Sequence, residues 1–491
     1  MGKSQKPEMG PITYWLGGVL TDLSRLTIKY PAAITDFFGT PDSVPCVYKS
    51  GLAWPGFQGL EKRHIIREIR PVYGHPIADS WLKIGTGICD VLDSRGISWT
   101  SIDPVAFANA GEAKPFCPLL MWIGVKHQSI VFDDAVIAAN SIKDLLIEVA
   151  FRESEVTYSA SGPKLSPFDP VRDRVAEFRK PFTPVLGLPI APLKKPHLEG
   201  TGALYFRLGK NDKRVALLTA AHVAHPPITL PNNGLVHMRP SQRREEIVAL
   251  GTKAYSDATN NMTDVIDNIV MRKENEVEVE KAKMQTKSLD ELHSEVTKYR
   301  TNADQRTIGF VLHSEPLLYN NMVDWNTFLG NKVYIGGNLS STEFRRLMFS
   351  QPTDQASYAY PDNGLLQAFD VVQHDEIRQP KHLDIHGEEA LLVVKNGMAT
   401  GTTVGRANGL ESFTRTCDSY NMTHTSVEIA ILPYGSPPRP FSRFGRIVAL
   451  LTSGNDPVTN STDISYGTPY WWLEEQIKRN FPGSFLYPVV N

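Results

Sequence analysis

The stretch Lys213-Arg214-Val215-Ala216-Leu217-Leu218-Thr219-Ala220-Ala221-His222-Val223 constrains this chain more than any other. Four apolar residues follow two basic ones, the pattern of a buried strand. The run then narrows to small residues and reaches His222. Small side chains let a backbone close into a tight turn, and a histidine on such a turn projects into a cleft. A general base needs that projection, because its imidazole must reach a hydroxyl and an orienting group at once. Just upstream, Glu199-Gly200-Thr201-Gly202-Ala203-Leu204-Tyr205-Phe206 reads as the preceding strand. Gly209-Lys210-Asn211-Asp212 joins the two as a hairpin.

Leu218-Thr219-Ala220-Ala221-His222 resembles the histidine signature of trypsin-like serine proteases, and the Gly-Thr-Gly strand resembles the one opening many intracellular domains of that group. Gly397-Met398-Ala399-Thr400-Gly401-Thr402-Thr403-Val404-Gly405 is similar to the hairpin preceding the nucleophile in fungal members. The strand Gly445–Gly454, then Thr468-Pro469-Tyr470-Trp471-Trp472 and a helix over Leu473–Asn480, resembles the end of the fold. The resemblance spans Pro196 to Pro482 and is nearest to long intracellular fungal members. It implies a mainly β fold, a trypsin-like double antiparallel β-barrel, intact or incomplete. It also implies His222 as the catalytic base and a peptide or protein as substrate or ligand.

A serine protease further needs an acid, a serine nucleophile and backbone donors for the oxyanion. Thr307-Ile308-Gly309-Phe310-Val311-Leu312-His313-Ser314 resembles the strand before the acid, but no Asp-x-Ala-Leu strand follows it. Asp324 and Glu199 are the carboxylates considered as partners for His222. No Gly-x-Ser-Gly occurs in the chain, and the approach Pro438-Arg439-Pro440-Phe441-Ser442-Arg443-Phe444-Gly445 runs almost directly into the closing strand. Ser442 lacks the glycines that expose a nucleophile, and Ser453 belongs to the strand that would line a substrate pocket. The chain as written is therefore expected to be a serine endopeptidase homologue without turnover. Two alternatives stand beside this: a non-catalytic peptide- or protein-binding scaffold, and an incomplete gene model of an active protease.

The 491 residues, with a formal net charge of −2, leave no global pull toward nucleic acid, and no nucleic-acid module is visible. Cys46, Cys89, Cys117 and Cys417 are far apart and follow no metal spacing, so reduced thiols are expected. A polar start without a signal peptide, and no run long enough to span a bilayer, imply a cytoplasmic protein without a membrane partner. No cofactor is expected. His382-Leu383-Asp384-Ile385-His386 with Glu388 has two histidines and a carboxylate, but Pro380 and Gly387 favour a turn over a ligand-bearing helix, so no metal is expected either. Cys417 lacks the glycine turn a thiol nucleophile would need.

Composition and periodicity divide the chain into an irregular arm over 1–60, a small α+β domain over 61–158, a proline-rich linker over 159–196 and the barrel region over 197–487. In the α+β domain, Trp81, Ile84, Ile88 and Val91 fall at helical spacing; Ile97–Ile102 and Leu119–Val125 read as strands, Asp133–Ile147 as a helix and Glu148–Ser154 as a strand. A charged stretch over 265–300 is expected to be a helical hairpin inserted into the barrel.

Overall fold

The computed structural model describes residues 28–33, 35–37, 46–51, 54–55, 66–126, 129–143, 149–154, 170–171, 173, 175–210, 215–220, 223, 235–236, 245–271, 276–315, 318–323, 330–336, 339–397, 401–417, 423–434, 445–454 and 464–487. In the N-terminal part, β1 (Arg67–Arg70) is followed by a helix (Trp81–Ser94), β2 (Trp99–Asn109), β3 (Cys117–Lys126), a helix (Phe132–Lys143) and β4 (Val149–Ser154). These agree with the periodicity. Trp81, Gly85, Ile88 and Leu92 are buried along one face of the first helix, the spacing of a single helical stripe. The helix-to-strand junction over 144–148 lies outside the described residues.

The middle of the chain supplies β5 (Leu188–Pro192), β6 (Gly200–Gly202), β7 (Leu204–Arg207), β8 (Val215–Thr219), β9 (Leu235–Val236), β10 (Glu246–Ala249), β11 (Thr307–Glu315) and β12 (Leu318–Val323). Short strands β13 (Lys332–Tyr334), β14 (Leu365–Gln367) and β15 (Asp370–Val371) follow. The last part contains β16 (Leu391–Gly397), β17 (Gly401–Ala407), β18 (Ser412–Cys417), β19 (Thr423–Pro433), β20 (Arg446–Ile447), β21 (Ala449–Gly454), β22 (Ser465–Pro469), a helix (Tyr470–Asn480) and β23 (Phe485–Leu486). The fold is mainly β. Among the described residues, β23-β7-β8-β12-β11-β10-β5-β6 form one sheet, with β9 on β11. A second sheet runs β16-β17-β19-β18-β2-β3-β4, with β1 on β2, β22 on β19 and β21 on β22.

That second sheet crosses the boundary anticipated between 61–158 and 197–487. Phe413 and Thr414 of β18 pair with Ile102 and Ser101 of β2. Phe413 also lies over the first helix, its ring 5.9 Å from that of Trp81. A Cβ on Gly85 would fall 2.1 Å from the Phe413 ring, so the helix can sit this close only with glycine there. The N-terminal strands thus close their core on side chains more than 300 residues away. The reason is areal: one helix face and two buried strands expose more apolar surface than a small unit can cover by itself.

Two further readings change. The stretch 159–196, expected to be a linker, contains β5, all five residues of which are buried. Proline is tolerated there because its carbonyl still accepts: Pro189 O from Leu250 N at 2.8 Å and Pro192 O from Lys195 N at 2.9 Å. The helical hairpin, expected over 265–300, comprises Thr252–Met271 and Glu276–Arg300 and so begins earlier. Met262, Leu289, Leu292 and Val296 bury its inner face against Val175, Phe182 and Leu250.

Candidate functional site

The strand leading to His222 is β8, buried throughout and flanked by β7 and β12. Thr219 closes it by donating its hydroxyl to Thr201 O at 2.8 Å. Val223 N then donates to Ala220 O at 3.1 Å, the closure of a tight turn, and Val223 itself is buried. A Cβ on Gly200 would lie 2.1 Å from Val223 Cγ2, and one on Gly202 2.6 Å from Leu217 Cδ2. Both glycines of Gly200-Thr201-Gly202 therefore serve close packing of β6 against β8 and the turn after it. His222, Asp324 and Ser442 lie outside the described residues. Ser453 sits in β21 opposite Tyr466, and Cys417 in β18 opposite Thr423.

After Ser314 no Asp-x-Ala-Leu strand was expected, and the strand that stands there is β12. Tyr319 stands opposite Thr219 and Val323 opposite Val215. The end of β12 that begins at Leu318 therefore meets the end of β8 that leads to His222. The end that leads to Asp324 meets the start of β8, roughly 13 Å away at the usual rise per residue. Glu315, paired with Leu318 across the hairpin, is at the Thr219 end. Alternation did not reveal β12, because Leu-Tyr-Asn-Asn-Met-Val has polar residues at both parities.

Glu199 is engaged elsewhere. Ala254 N, in the first turn of the helix Thr252–Met271, donates to its Oε1 at 3.5 Å. Burial pushes this carboxyl up to about 7, against the opposing pull of the Ala254 and Lys253 backbone donors.

The segment His382–Glu388 is a turn. Asp384 N donates to Glu388 O at 2.8 Å, Gly387 N to Asp384 O at 3.0 Å, and Gly387 takes a φ of +76°. The Asp384 side chain accepts from His386 N at 2.8 Å, which fixes the turn locally. Its carboxylates meet guanidiniums: Arg406 reaches Glu68 at 2.7 Å and Asp384 at 3.4 Å, and Arg70 reaches Glu68 at 3.0 Å and Glu388 at 3.5 Å. Burial works against the Glu68 charge, but Arg406 and Arg70 outweigh it and hold the carboxyl below its usual range. Burial, then the Arg70 charge, pushes the His386 imidazole down, and burial pushes Glu388 up. Among the described residues, no group of three or more His, Cys, Asp and Glu is placed so that it could hold a metal ion.

A different histidine has a built setting. His374 begins the short helix His374–Arg378, and its Nε2 is 2.8 Å from Glu411 Oε1. Arg378 Nη2 holds the same carboxylate at 3.2 and 3.1 Å, and Nη1 donates to Ala78 O at 3.0 Å. The Trp471 ring lies 5.3 Å from the imidazole. With Ile377, Asn408, Gly409, Ile429 and Pro469, the His374, Glu411 and Trp471 side chains line a cavity of about 10 Å³, room for about one water. No protein-family model matches the chain, and no curated protein matches it. The chemistry of this cavity is accordingly read from its geometry. Glu411 can orient His374, but no serine, threonine or cysteine lines the cavity, and its volume is below that of pockets holding drug-sized ligands. Sequence reasoning missed His374 and Glu411 because they lie 37 residues apart with no spacing motif.

Among the described residues no helix is long and apolar enough to cross a membrane. Cys46, Cys89 and Cys117 are buried, and burial pushes the Cys89 thiol up to about 11, away from thiolate reactivity.

Proposed function

We propose that residues 188–323 are the histidine-bearing barrel of a trypsin-like serine endopeptidase homologue, and that this polypeptide has no serine-protease turnover. The reading rests on the order of pairing. Strand β5 pairs with β6, which runs through Ala203 into β7; β7 pairs with β8, β8 with β12, β12 with β11, β11 with β10, and β10 with β5. With β6 continuing into β7, this order is the one a six-stranded barrel would give, and β8 precedes His222 in the chain. The absence of turnover rests on the sequence between Tyr434 and Gly445, which has no glycine-flanked serine to attack or to shape an oxyanion hole. Its ligand is a peptide or protein, bound without cleavage. On the pairing order, Glu315 rather than Asp324 is proposed as the carboxylate partner of His222.

Incubation with a fluorophosphonate probe and a broad peptide library tests the first part: no specific labelling and no cleavage are expected. Labelling abolished by His222→Ala would overturn it. For the second part, NMR titration of His222 is expected to move to lower pH in Glu315→Gln and to stay in place in Asp324→Asn. The reverse pattern overturns the assignment.

A further inference from the structure

The sheet that joins the two ends of the chain carries a short polar row on a face where Val105, Phe107 and Ala430 are otherwise buried in an apolar core. The strands β22 and β2 are separated by β19 and β18 in hydrogen-bonded order, yet Tyr466 OH donates to Asp103 Oδ2 at 3.0 Å. Three strand spacings amount to roughly 14 Å on a flat sheet, more than a tyrosine can span, so the intervening side chains converge. Continuing the register of Ile102 with Phe413 by one step sets Ser412 beside Asp103, and Ser412 pairs with Glu428. Thr468 follows on β22, its hydroxyl 3.4 Å from Glu428 Oε1. The row Asp103, Ser412, Glu428 and Thr468 thus crosses four strands on one face. Beside it, Ser101 Oγ donates to Asp103 Oδ2 at 2.9 Å, and the Thr414 and Ser426 hydroxyls are 2.8 Å apart.

Asp103 and Ser412 are 0 % exposed and Glu428 is 4 % exposed. The Ser412 hydroxyl and Glu428 Oε2 have no hydrogen-bond partner among the described residues. No lysine, arginine or histidine is among the described groups acting on Glu428; burial pushes its carboxyl up to about 7 against the opposing pull of the Ser426, Thr468 and Thr452 hydroxyls. The arginines of this region, Arg70 and Arg406, pair with Glu68, which is out of register with this face: it stands opposite Ala108, whereas Asp103 shares its parity with Val105 and Phe107. A buried carboxyl that no cationic side chain neutralises, beside a buried hydroxyl with no partner on its row, is a place where a positively charged ligand lowers the cost of burial.

We propose that Asp103, Ser412, Glu428 and Thr468 form a site for a hard divalent cation of the calcium type. The donors are all oxygen, which selects against zinc and copper, and two carboxylates match the charge of a divalent ion. Calcium suits it better than magnesium, which keeps several waters and demands octahedral geometry. Exposed Thr452, whose hydroxyl donates to Tyr466 O at 3.2 Å, marks the rim through which an ion enters. Bound there, the ion ties β2 to β19 and β22, and so the N-terminal strands to the C-terminal ones.

The test uses the full chain after treatment with a chelator. Calorimetric titration with calcium chloride is expected to show one saturable site, and calcium is expected to raise Tm more than equal magnesium or sodium. Glu428→Gln keeps the fold by circular dichroism and loses both effects. Ser412→Ala, which removes one hydroxyl and is safe for folding, weakens calcium binding by about ten-fold. Absence of any calcium effect on the parent chain overturns the proposal, as does a calcium response unchanged in both variants. A larger response to sodium than to calcium overturns it as well.

Discussion

Asn408 and Val72, 336 positions apart in the chain, are joined by a 2.8 Å hydrogen bond from the Val72 amide to the Asn408 side-chain oxygen. The Asn408 amide nitrogen donates to Pro104 O at 2.8 Å and Leu410 O at 2.9 Å, and its backbone N to Ala430 O at 2.8 Å. Strand β18 begins only at Ser412, and the Asn408 amide supplies the donor that the Pro104 carbonyl accepts. Asn408→Ala should leave the Val72 amide buried and unpaired, destabilising the fold by about 2–4 kcal/mol. Asn408→Asp should be at least as severe at neutral pH, because a carboxylate would face two carbonyls. Urea denaturation measures both; a change in Asn408→Ala below about 0.5 kcal/mol would refute this account.

Gly409 and Gly387 separate two reasons for glycine. A Cβ on Gly409 would lie 2.5 Å from Val72 O, which is backbone and cannot rotate away. Gly387 has open space around it but a φ of +76°. Gly409→Ala should cost about 1–3 kcal/mol from overpacking. Gly387→Ala should cost only about 1 kcal/mol from conformational strain. Equal denaturation midpoints for the two variants would contradict this ordering.

Arg406, almost wholly buried, is held by Glu68, Asp384, Ile69 O and Pro433 O. Arg406→Met removes the shared guanidinium, leaving Glu68 with Arg70 alone and Asp384 with backbone donors, an expected loss of about 3–5 kcal/mol. A variant as stable as its parent would show that the cluster is not cooperative.

The same cluster makes stability pH-dependent. His386 has a folded pKa below its usual value, so the unfolded chain takes the proton first. Stability is then lost as pH falls below about 6.5 and until the folded site is protonated too. Glu68, held low, acts in the same sense further into acid: its contribution is present above the usual carboxylate range and is lost as pH falls. His386→Gln should flatten the fall in Tm between about pH 7 and 5. An unchanged slope would remove His386 from the explanation.

Glu199 works in the opposite direction. With a folded pKa near 7 against an ordinary 4.5, the folded chain keeps a proton that the unfolded chain releases, so stability falls as pH rises through that window. Glu199→Gln keeps an acceptor for Ala254 N and should exceed its parent by about 1–3 kcal/mol at pH 8, the gap closing by about pH 4. Denaturation at the two pH values decides it, and equal stability at pH 8 would rule the account out.

The sequence by itself determined the elements whose signal is local. Trp81, Ile88 and Leu92 carry a period that only a helix satisfies. The run Val215–Thr219 with its small-residue turn, the hairpin from Leu391 to Ala407 and the terminal helix are legible for the same reason, since neighbouring residues set backbone preference. Partners are not local. That β18 lies against β2, that the proline-rich stretch yields β5, and that Leu318–Val323 flanks β8 follow from which buried faces match in register across hundreds of residues. The same holds for sites: His222 stands out through adjacent residues, whereas Asp103, Ser412 and Glu428 share a row only through strand pairing across hundreds of residues.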